Sequence, residues 1–175
     1  MGLGMNLITF SLFGDNPLYC QGAVENANTA RVIYPEWTAR FYVAQDVPEH
    51  YIEEIEDYGA EVVRCEKKNS YDGLNWRFRP LNDPNVQYWI SRDADSRLSW
   101  RERNAVDEWM ESDKSAHLLR DCHNHGYTIM AGMFGINNKL FHKRYGMINL
   151  DNINANYREA DQTVLEQHLW PLIKD

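Results

Sequence analysis

Short apolar runs alternate along the chain with segments whose apolar residues recur at helical spacing. The runs "LITFSLF" (7–13), "ARFYVA" (39–44), "AEVVRC" (60–65) and "VQYWIS" (86–91) are rich in β-branched and aromatic residues. Turn formers such as "GDNP" end the first run, as is typical of strands. The pattern therefore predicts four strands in the first half of the chain.

Helical periodicity fills the intervals between these runs. Ala23, Ala27 and Ala30 predict a helix over residues 21–33 that stops before Pro35. This helix would carry a narrow stripe of small apolar side chains and would connect the first two strands. An alternation of strand and helix begins here.

Capping patterns indicate two further helices. Asp46 and Glu49 form D-x-x-E ahead of an apolar stripe, and Gly59 stands where such a helix ends. Ser99 and Glu102 form S-x-x-E before a second stripe. We expect a capping box at each start.

The second half of the chain is predicted to add two strands and a closing helix. The strands cover residues 116–121 and 128–136, and Asp161 opens the helix. Strands that alternate with helices imply an α/β fold, with a mainly parallel, Rossmann-like central sheet flanked by helices. In such sheets ligands bind at the carboxyl ends of strands.

Length and composition narrow the class of protein. We expect residues 1–175 to form a single domain. The formal net charge of −8 argues against nucleic acid or an anionic membrane as the main partner. The three separated cysteines favour a reducing compartment. With no signal peptide and no run of about 20 apolar residues, we expect a cytoplasmic protein without a transmembrane segment.

Two aspartates one residue apart follow the fourth predicted strand. Asp93 and Asp95 project to the same side of an extended chain, with Arg92 and Arg97 on either side. Like charges at this spacing favour a hard divalent cation such as Mg²⁺ or Mn²⁺. The alternative is a turn in which an aspartate caps the next helix. Because Ser99 already supplies a cap, a cation site is favoured.

The surrounding sequence resembles a known family. "VQYWISRDADSRLSWRERNAVDEWM" is similar to the D-x-D region of nucleotide-sugar-dependent glycosyltransferases of the GT-A type. It looks most similar to a small group of bacterial and large-virus domains with a SRDADSRL signature. "ITFSLFGDNPLYCQGAVENA", "GLNWRFRPLNDP" and "DQTVLEQHLWPLI" extend the resemblance over most of the chain. It implies a GT-A fold, a nucleotide-sugar donor (a UDP-sugar is expected) and a carbohydrate or glycoconjugate acceptor.

The resemblance also implies roles for individual residues. Asp93 and Asp95 would hold Mn²⁺ or Mg²⁺ against the diphosphate of the donor. The end of the first strand would hold the base, which points to Ser11, Phe13 and Tyr19. For Phe13 and Tyr19 the alternative is ordinary core packing.

Three further residues are candidates for contacts to the donor. Arg64 ends the third strand and would contact phosphate or ribose, unless it is a surface charge. Arg77 or Arg79 would contact the diphosphate, because guanidinium groups bind phosphate oxygens in a bidentate manner. Arg77 is favoured because its neighbours are most similar to the corresponding segment of the family. Gly132 would let the backbone approach the sugar, although a kinked strand explains it equally well.

The later part of the chain offers a third metal ligand and a general base. His123 and His125 follow the fifth predicted strand, and His125 would complete the metal site by the resemblance. A polar loop with acceptor contacts is the favoured alternative. Asp161 lies where many inverting GT-A enzymes keep their general base, while a helix N-cap is the favoured alternative.

A GT-A glycosyltransferase is the leading hypothesis. The first alternative is a non-catalytic nucleotide-sugar-binding module. The second is a phosphohydrolase of the haloacid dehalogenase type, which also uses D-x-D but places it on the first strand. Both remain open from the sequence.

Overall fold

The computed structural model describes residues 4–120, 126–150 and 157–174 of the chain. In these ranges one sheet has the order β3-β2-β1-β4-β6-β5. Its strands are β1 (Met5–Leu12), β2 (Thr38–Ala44), β3 (Glu61–Cys65), β4 (Val86–Arg92), β5 (Ala116–Leu118) and β6 (Met133–Asn137). Strands β1 to β4 are parallel, and β6 is antiparallel to both of its neighbours. The predicted mainly parallel α/β sheet is confirmed.

Helices cover both faces of this sheet. They are α1 (Pro17–Ile33), α2 (Glu49–Asp57), α3 (Trp100–Met110), α4 (Asn138–Tyr145), α5 (Ala160–Val164) and α6 (Trp170–Ile173). A 3₁₀ segment spans Asp72–Asn82, and a π-helical turn, Leu165–Leu169, joins α5 to α6. No helix within the described ranges is long and apolar enough to cross a membrane.

The side chains of strand β1 alternate between the two faces of the sheet. Ile8, Phe10 and Leu12 pack with α1, α2 and α3 on one face. Thr9 and Ser11 alternate with them and face the 3₁₀ segment. This alternation brings two hydroxyl groups to the carboxyl end of the strand, beneath the site described below.

Two of the predicted helix starts differ from the structure. The D-x-x-E capping box is wrong: α2 begins at Glu49 after Pro48, without a side-chain cap. The Asp46 carboxylate instead accepts a hydrogen bond from the Gly14 N–H (2.8 Å) and pairs with Lys67. Helix α1 begins at Pro17, four residues earlier than predicted. Asn16 causes the early start because its side chain accepts the Leu18 N–H at 3.0 Å.

The second half of the sheet is shorter than predicted. Residues 128–132 form bends and a turn, and only Met133–Asn137 form β6. Helix α4, which the sequence pattern did not predict, begins directly after it. The Asn137 side chain accepts the Leu140 N–H at 3.1 Å and caps that helix. The 3₁₀ segment Asp72–Asn82 was also missed, because Pro80 obscures a helical pattern.

Candidate active site

The D-x-D aspartates lie where the order of the strands reverses. Strand β1 has β2 on one side and β4 on the other, and Asp93 follows directly after β4. Open α/β sheets bind ligands at this position. The side chain of Asp93 is 38% exposed and Asp95 is exposed, while Ala94 between them is buried. Both carboxylates are therefore accessible from solvent.

Helix α1 holds this turn in place through Asn26. Its side-chain NH₂ donates to the carbonyl oxygens of Ala94 (3.2 Å) and Ser96 (2.7 Å), and its Oδ1 accepts the Leu98 N–H (3.2 Å). Gly22 allows close packing, since a Cβ there would lie 2.2 Å from the Ala94 oxygen. Sequence reasoning missed Asn26. A polar residue within the alanine stripe of this helix was the available signal.

The 3₁₀ segment carries Arg77 to the same edge of the sheet. The Arg77 N–H donates to Ser11 Oγ at 3.1 Å, and the Thr9 hydroxyl donates to the Arg77 carbonyl at 2.8 Å. Both hydroxyls come from the face of β1 opposite its apolar residues. The polar alternation in β1 thus determines where the arginine lies.

The guanidinium of Arg77 bridges two carboxylates. It donates to Asp161 Oδ2 at 2.7 Å, to Asp93 Oδ1, and to the Arg92 carbonyl at 3.0 Å. Its side chain and that of Asp161 are only 7% and 6% exposed. Burial by itself would lower the pKa of Arg77, but Asp93 and Asp161 raise it above its ordinary value. The bridge is thus a charged triad in which Arg77 and Asp161 are buried and Asp93 is partly exposed.

Asp161 is not the cap of its helix. Helix α5 begins at Ala160, and its N-cap is Glu159, which has a left-handed backbone (φ 67°) and makes no side-chain capping hydrogen bond. Asp161 therefore lies in the first turn, and the N-cap interpretation is wrong. Its Oδ1 accepts the Gln162 N–H at 3.0 Å, so both carboxylate oxygens are engaged.

A cleft of about 740 Å³ opens above these residues. The sequence-predicted site residues that line it are Ser11, Phe13, Tyr19, Arg77, Asp93, Asp95 and Asp161. Sequence reasoning missed several others, including Tyr71, Leu74, Arg158, Glu159 and Gln162. Leu74 and Gln162 lie in segments that carry the family resemblance, but the resemblance assigned no role to them, and no pattern singled out the other three.

Other predicted site residues lie elsewhere. Arg64 is exposed outside the cleft and forms an ion pair with Glu49 at 2.5 Å. Gly132 does not line the cleft but lies against Asp93: a Cβ there would be 2.0 Å from Asp93 Oδ2. His125 lies outside the described residues.

The cleft carries an excess of negative charge. Five carboxylates and two guanidinium groups line it, and one of those guanidinium groups is the Arg77 already shared by two of the carboxylates. In the described part of the chain, no group of three or more His, Cys, Asp or Glu residues is arranged to hold a metal. An anionic ligand would therefore need a cation to enter with it.

Compared by sequence, the chain matches neither a family profile nor a curated protein. Solved structures are similar in fold. A mannosyltransferase from Pyrobaculum calidifontis, in complex with GDP-Man and Mn²⁺, has a TM-score of 0.60 at 10% identity and matches 98% of this chain. A glycosyltransferase involved in glycosylation of the major capsid of PBCV-1 has a TM-score of 0.55 at 12% identity, over 97% of this chain and 77% of its own.

The same fold also serves another activity. A 4-diphosphocytidyl-2C-methyl-D-erythritol synthase from Anaerococcus prevotii has a TM-score of 0.50 at 11% identity, over 93% of this chain and 82% of its own. The chain thus has the fold of GT-A glycosyltransferases, and it spans about half (54%) of the mannosyltransferase chain. Because one fold serves several reactions, function has to be argued from the site.

Proposed function

We propose that the chain is a glycosyltransferase. It transfers a sugar from a nucleotide-diphosphate sugar, a UDP-sugar as first choice, to a carbohydrate or glycoconjugate acceptor. One observation carries the proposal: Asp93 and Asp95 follow β4 and open into a cleft that the end of β1 also lines. Carboxylates for a cation and side chains for a base thus share one cleft at the strand-order reversal.

The nucleoside would lie at the end of β1. Phe13 and Tyr19 offer aromatic surface there, and the Ser11 hydroxyl keeps its proton free because it accepts from the Arg77 N–H. Gly73 makes room for the Phe13 ring, since a Cβ at Gly73 would lie 2.3 Å from Phe13 Cδ1. Together these groups form a platform for a planar base.

Asp93 and Asp95 fit a hard divalent cation, Mn²⁺ or Mg²⁺. Two accessible carboxylates are what Mg²⁺ commonly uses when substrate phosphates complete its shell. When bound, the ion would neutralise the diphosphate and stabilise the leaving nucleotide. Arg77 and Gly132 orient the Asp93 carboxylate, the first by an ion pair and the second by leaving space behind it.

Asp161 is the residue proposed as general base, and its contacts define what that role requires. A base has to reach the acceptor hydroxyl directly. Here Arg77 and the Gln162 N–H occupy both oxygens of a carboxylate that is 6% exposed. Asp161 would have to exchange Arg77 for the acceptor before it could take a proton. In the arrangement described, it holds Arg77 in place.

Two other functions give different results in the same assays. A phosphohydrolase of the haloacid dehalogenase type would carry D-x-D on its first strand, whereas Asp93 follows β4. A non-catalytic nucleotide-sugar-binding module is the second candidate, because both oxygens of the candidate base Asp161 are already engaged. It would bind a donor tightly and neither transfer nor hydrolyse it.

Calorimetry with nucleotide sugars tests the proposal. UDP-glucose, UDP-galactose and GDP-mannose are titrated with Mn²⁺ or with EDTA into the wild type and Asp93→Asn/Asp95→Asn. Binding of at least one donor should require Mn²⁺ and disappear in this variant. Glu56→Gln/Asp57→Asn, on the exposed side of α2, is the control with the same charge change. Equal affinity in the wild type and the D-x-D variant would refute the proposal.

Gly132→Ala tests the geometry of Asp93 without removing a charge. The added methyl group would displace the Asp93 carboxylate, so donor affinity with Mn²⁺ should fall by about tenfold or more, a loss of about 1.4 kcal/mol. Gly126→Ala is the matched control, since nothing lies within 4 Å of a Cβ there. Release of free sugar from a bound donor then separates a transferase from a binding module.

A further inference from the structure

A second cavity lies on the other side of Asp93 from the cleft. Its volume is about 230 Å³. Helix α1, the turn after β4, the start of α3, the end of β5 and the residues before β6 all contribute to it. Asp93 lines both this cavity and the cleft, so the two adjoin at this residue.

The charge of this cavity is opposite to that of the cleft. Two carboxylates, Asp93 and Glu102, line it, and Glu102 already pairs with an arginine of the same wall. Four arginines face these two carboxylates: Arg92, Arg97, Arg101 and Arg120. A cluster of positive charge in a protein with a formal charge of −8 requires a specific explanation.

Two of these arginines are available to a ligand. Arg101 and Arg120 are exposed, and neither forms an ion pair with a carboxylate among the described residues. Arg120 Nη2 donates a hydrogen bond to the Thr128 carbonyl oxygen at 2.8 Å. This bond holds the guanidinium in place and does not involve its other N–H groups. Arg97, by contrast, is paired with Glu25 at 2.5 Å.

The other walls also favour an anion. The side chain of Arg92 is 4% exposed, and its Nη2 has no hydrogen-bond partner within the described ranges. Helix α3, 11 residues long, begins at this cavity with Ser99 as its N-cap, and its first N–H groups carry partial positive charge. The start of α3 and several arginines therefore contribute positive charge to the wall of this cavity.

We propose that this cavity binds an anionic group, a carboxylate or a phosphate, on the acceptor sugar. The assignment to the acceptor rests on the proposed glycosyltransferase function, because the cavity adjoins the cleft across Asp93. Arg101 and Arg120 would hold the anion by charge-assisted, bidentate hydrogen bonds. The substrate would then be an acidic glycan, and the cavity would select it against neutral ones.

Binding of small sugars tests the proposal. D-glucuronic acid, D-glucose 6-phosphate and neutral D-glucose are compared by ligand-observed NMR on the wild-type protein. At least one acidic sugar should bind about tenfold more tightly than glucose, and its affinity should fall with added salt. The sugar that binds distinguishes carboxylate from phosphate. If glucose binds as well as both acidic sugars, or if neither acidic sugar binds, the proposal is wrong.

A paired set of variants locates the binding. Arg101→Gln/Arg120→Gln should lower the affinity for the acidic sugar by about tenfold or more. Arg31→Gln/Arg144→Gln removes the same charge from exposed positions outside both cavities. This variant should bind the acidic sugar with the affinity of the wild type. Unfolding curves confirm that both variants fold. Equal losses in the two variants would show a nonspecific charge effect and overturn the proposal.

Donor binding separates this proposal from the proposed function. Nucleotide-sugar affinity with Mn²⁺ should be the same in Arg101→Gln/Arg120→Gln as in the wild type, because neither residue lines the cleft. If the acidic sugar binds as expected and no nucleotide sugar does, the anion site stands and the glycosyltransferase proposal fails. If the donor binds and the acidic sugar does not, only the anion site fails.

Discussion

Arg77 is a buried guanidinium held between two carboxylates that lie far apart in the chain. Asp93 follows β4, whereas Asp161 is 84 residues away from Arg77 in the first turn of α5. Removal of Arg77 leaves the buried Asp161 without its partner, and removal of Asp161 leaves the buried Arg77 with Asp93 alone. Breaking a buried pair typically costs about 3–5 kcal/mol. The bridge therefore couples the stability of the closing helix to the geometry of the D-x-D turn.

A double-mutant cycle measures this coupling. Arg77→Gln and Asp161→Asn should each lower the free energy of unfolding by about 3 kcal/mol in urea titrations. The double variant should lose clearly less than the sum, because the residues contact each other. Arg64→Gln, which breaks the exposed pair with Glu49, should leave the free energy of unfolding nearly unchanged. Additive effects of Arg77→Gln and Asp161→Asn would contradict a direct bridge.

Protonation of His117 makes the free energy of unfolding depend on pH. Its ring stacks on Trp109 with centroids 5.3 Å apart, and burial together with the nearby Arg92 charge lowers the pKa of His117 to about 4. In the unfolded chain the pKa is close to 6.5. Between these values the unfolded chain binds a proton that the folded protein does not, so acid favours unfolding.

The free energy of unfolding should thus fall as the pH is lowered from 6.5 to 4, with about 2.5 kcal/mol of the loss due to His117. Urea titrations at several pH values measure it. His117→Gln should flatten this dependence, whereas His50→Gln, at an exposed position, should leave it as in the wild type. An identical profile in His117→Gln would show that His117 does not titrate in this way.

At the scale of elements, α1 and the turn after β4 form one unit. Asn26 is fully buried and makes all of its three described hydrogen bonds to the backbone of that turn. A buried backbone group without a partner costs about 1–3 kcal/mol. The position of the aspartates thus depends on a helix that precedes them by about 70 residues, as the separations of 68 to 72 residues in these bonds show.

Asn26→Ala tests this junction. It should lower the free energy of unfolding by about 3 kcal/mol, because two carbonyls and one N–H lose their partners. The affinity of the folded variant for the donor with Mn²⁺ should fall as well. Asn104→Ala, at an exposed position of α3, should change both by little. Unchanged donor affinity in Asn26→Ala would mean that the turn keeps its shape without α1.

Elements with a strong local pattern were predicted well. Strands β1 to β4, α1 and the Ser99 cap of α3 follow from apolar periodicity and capping chemistry. Glu102 did not return to the cap as a capping box requires, because its carboxylate pairs with Arg92. Helix α4, β6 and the start of α5 were missed or displaced. Their short segments depend on tertiary packing more than on local propensity.

The whole molecule separates its charges by location. The cleft is acidic and the second cavity is basic, although the protein has a formal net charge of −8. Metal and donor should therefore bind cooperatively in the cleft, because each reduces the electrostatic cost of the other. Charge separation of this kind would direct donor and acceptor to different sides of Asp93.

Thermal unfolding measures this cooperativity. A nucleotide sugar with Mn²⁺, at about 100 times its Kd, should stabilise the fold by about 2.7 kcal/mol. For a protein of this size that corresponds to a rise in Tm of about 5–11 °C. Mn²⁺ alone and donor alone should each give a much smaller shift. Shifts that simply add would rule out a shared site.

The sequence by itself determined the α/β class, the parallel strands and the position of the D-x-D aspartates after β4, because these depend on periodicity and on local turn chemistry. Only the tertiary structure brought Arg77 into contact with Asp93 and Asp161. It also placed Asn26 against the turn after β4, and Arg64 outside the cleft. Such contacts join residues tens of positions apart. They depend on packing, charge pairing and burial in three dimensions, which no local pattern records.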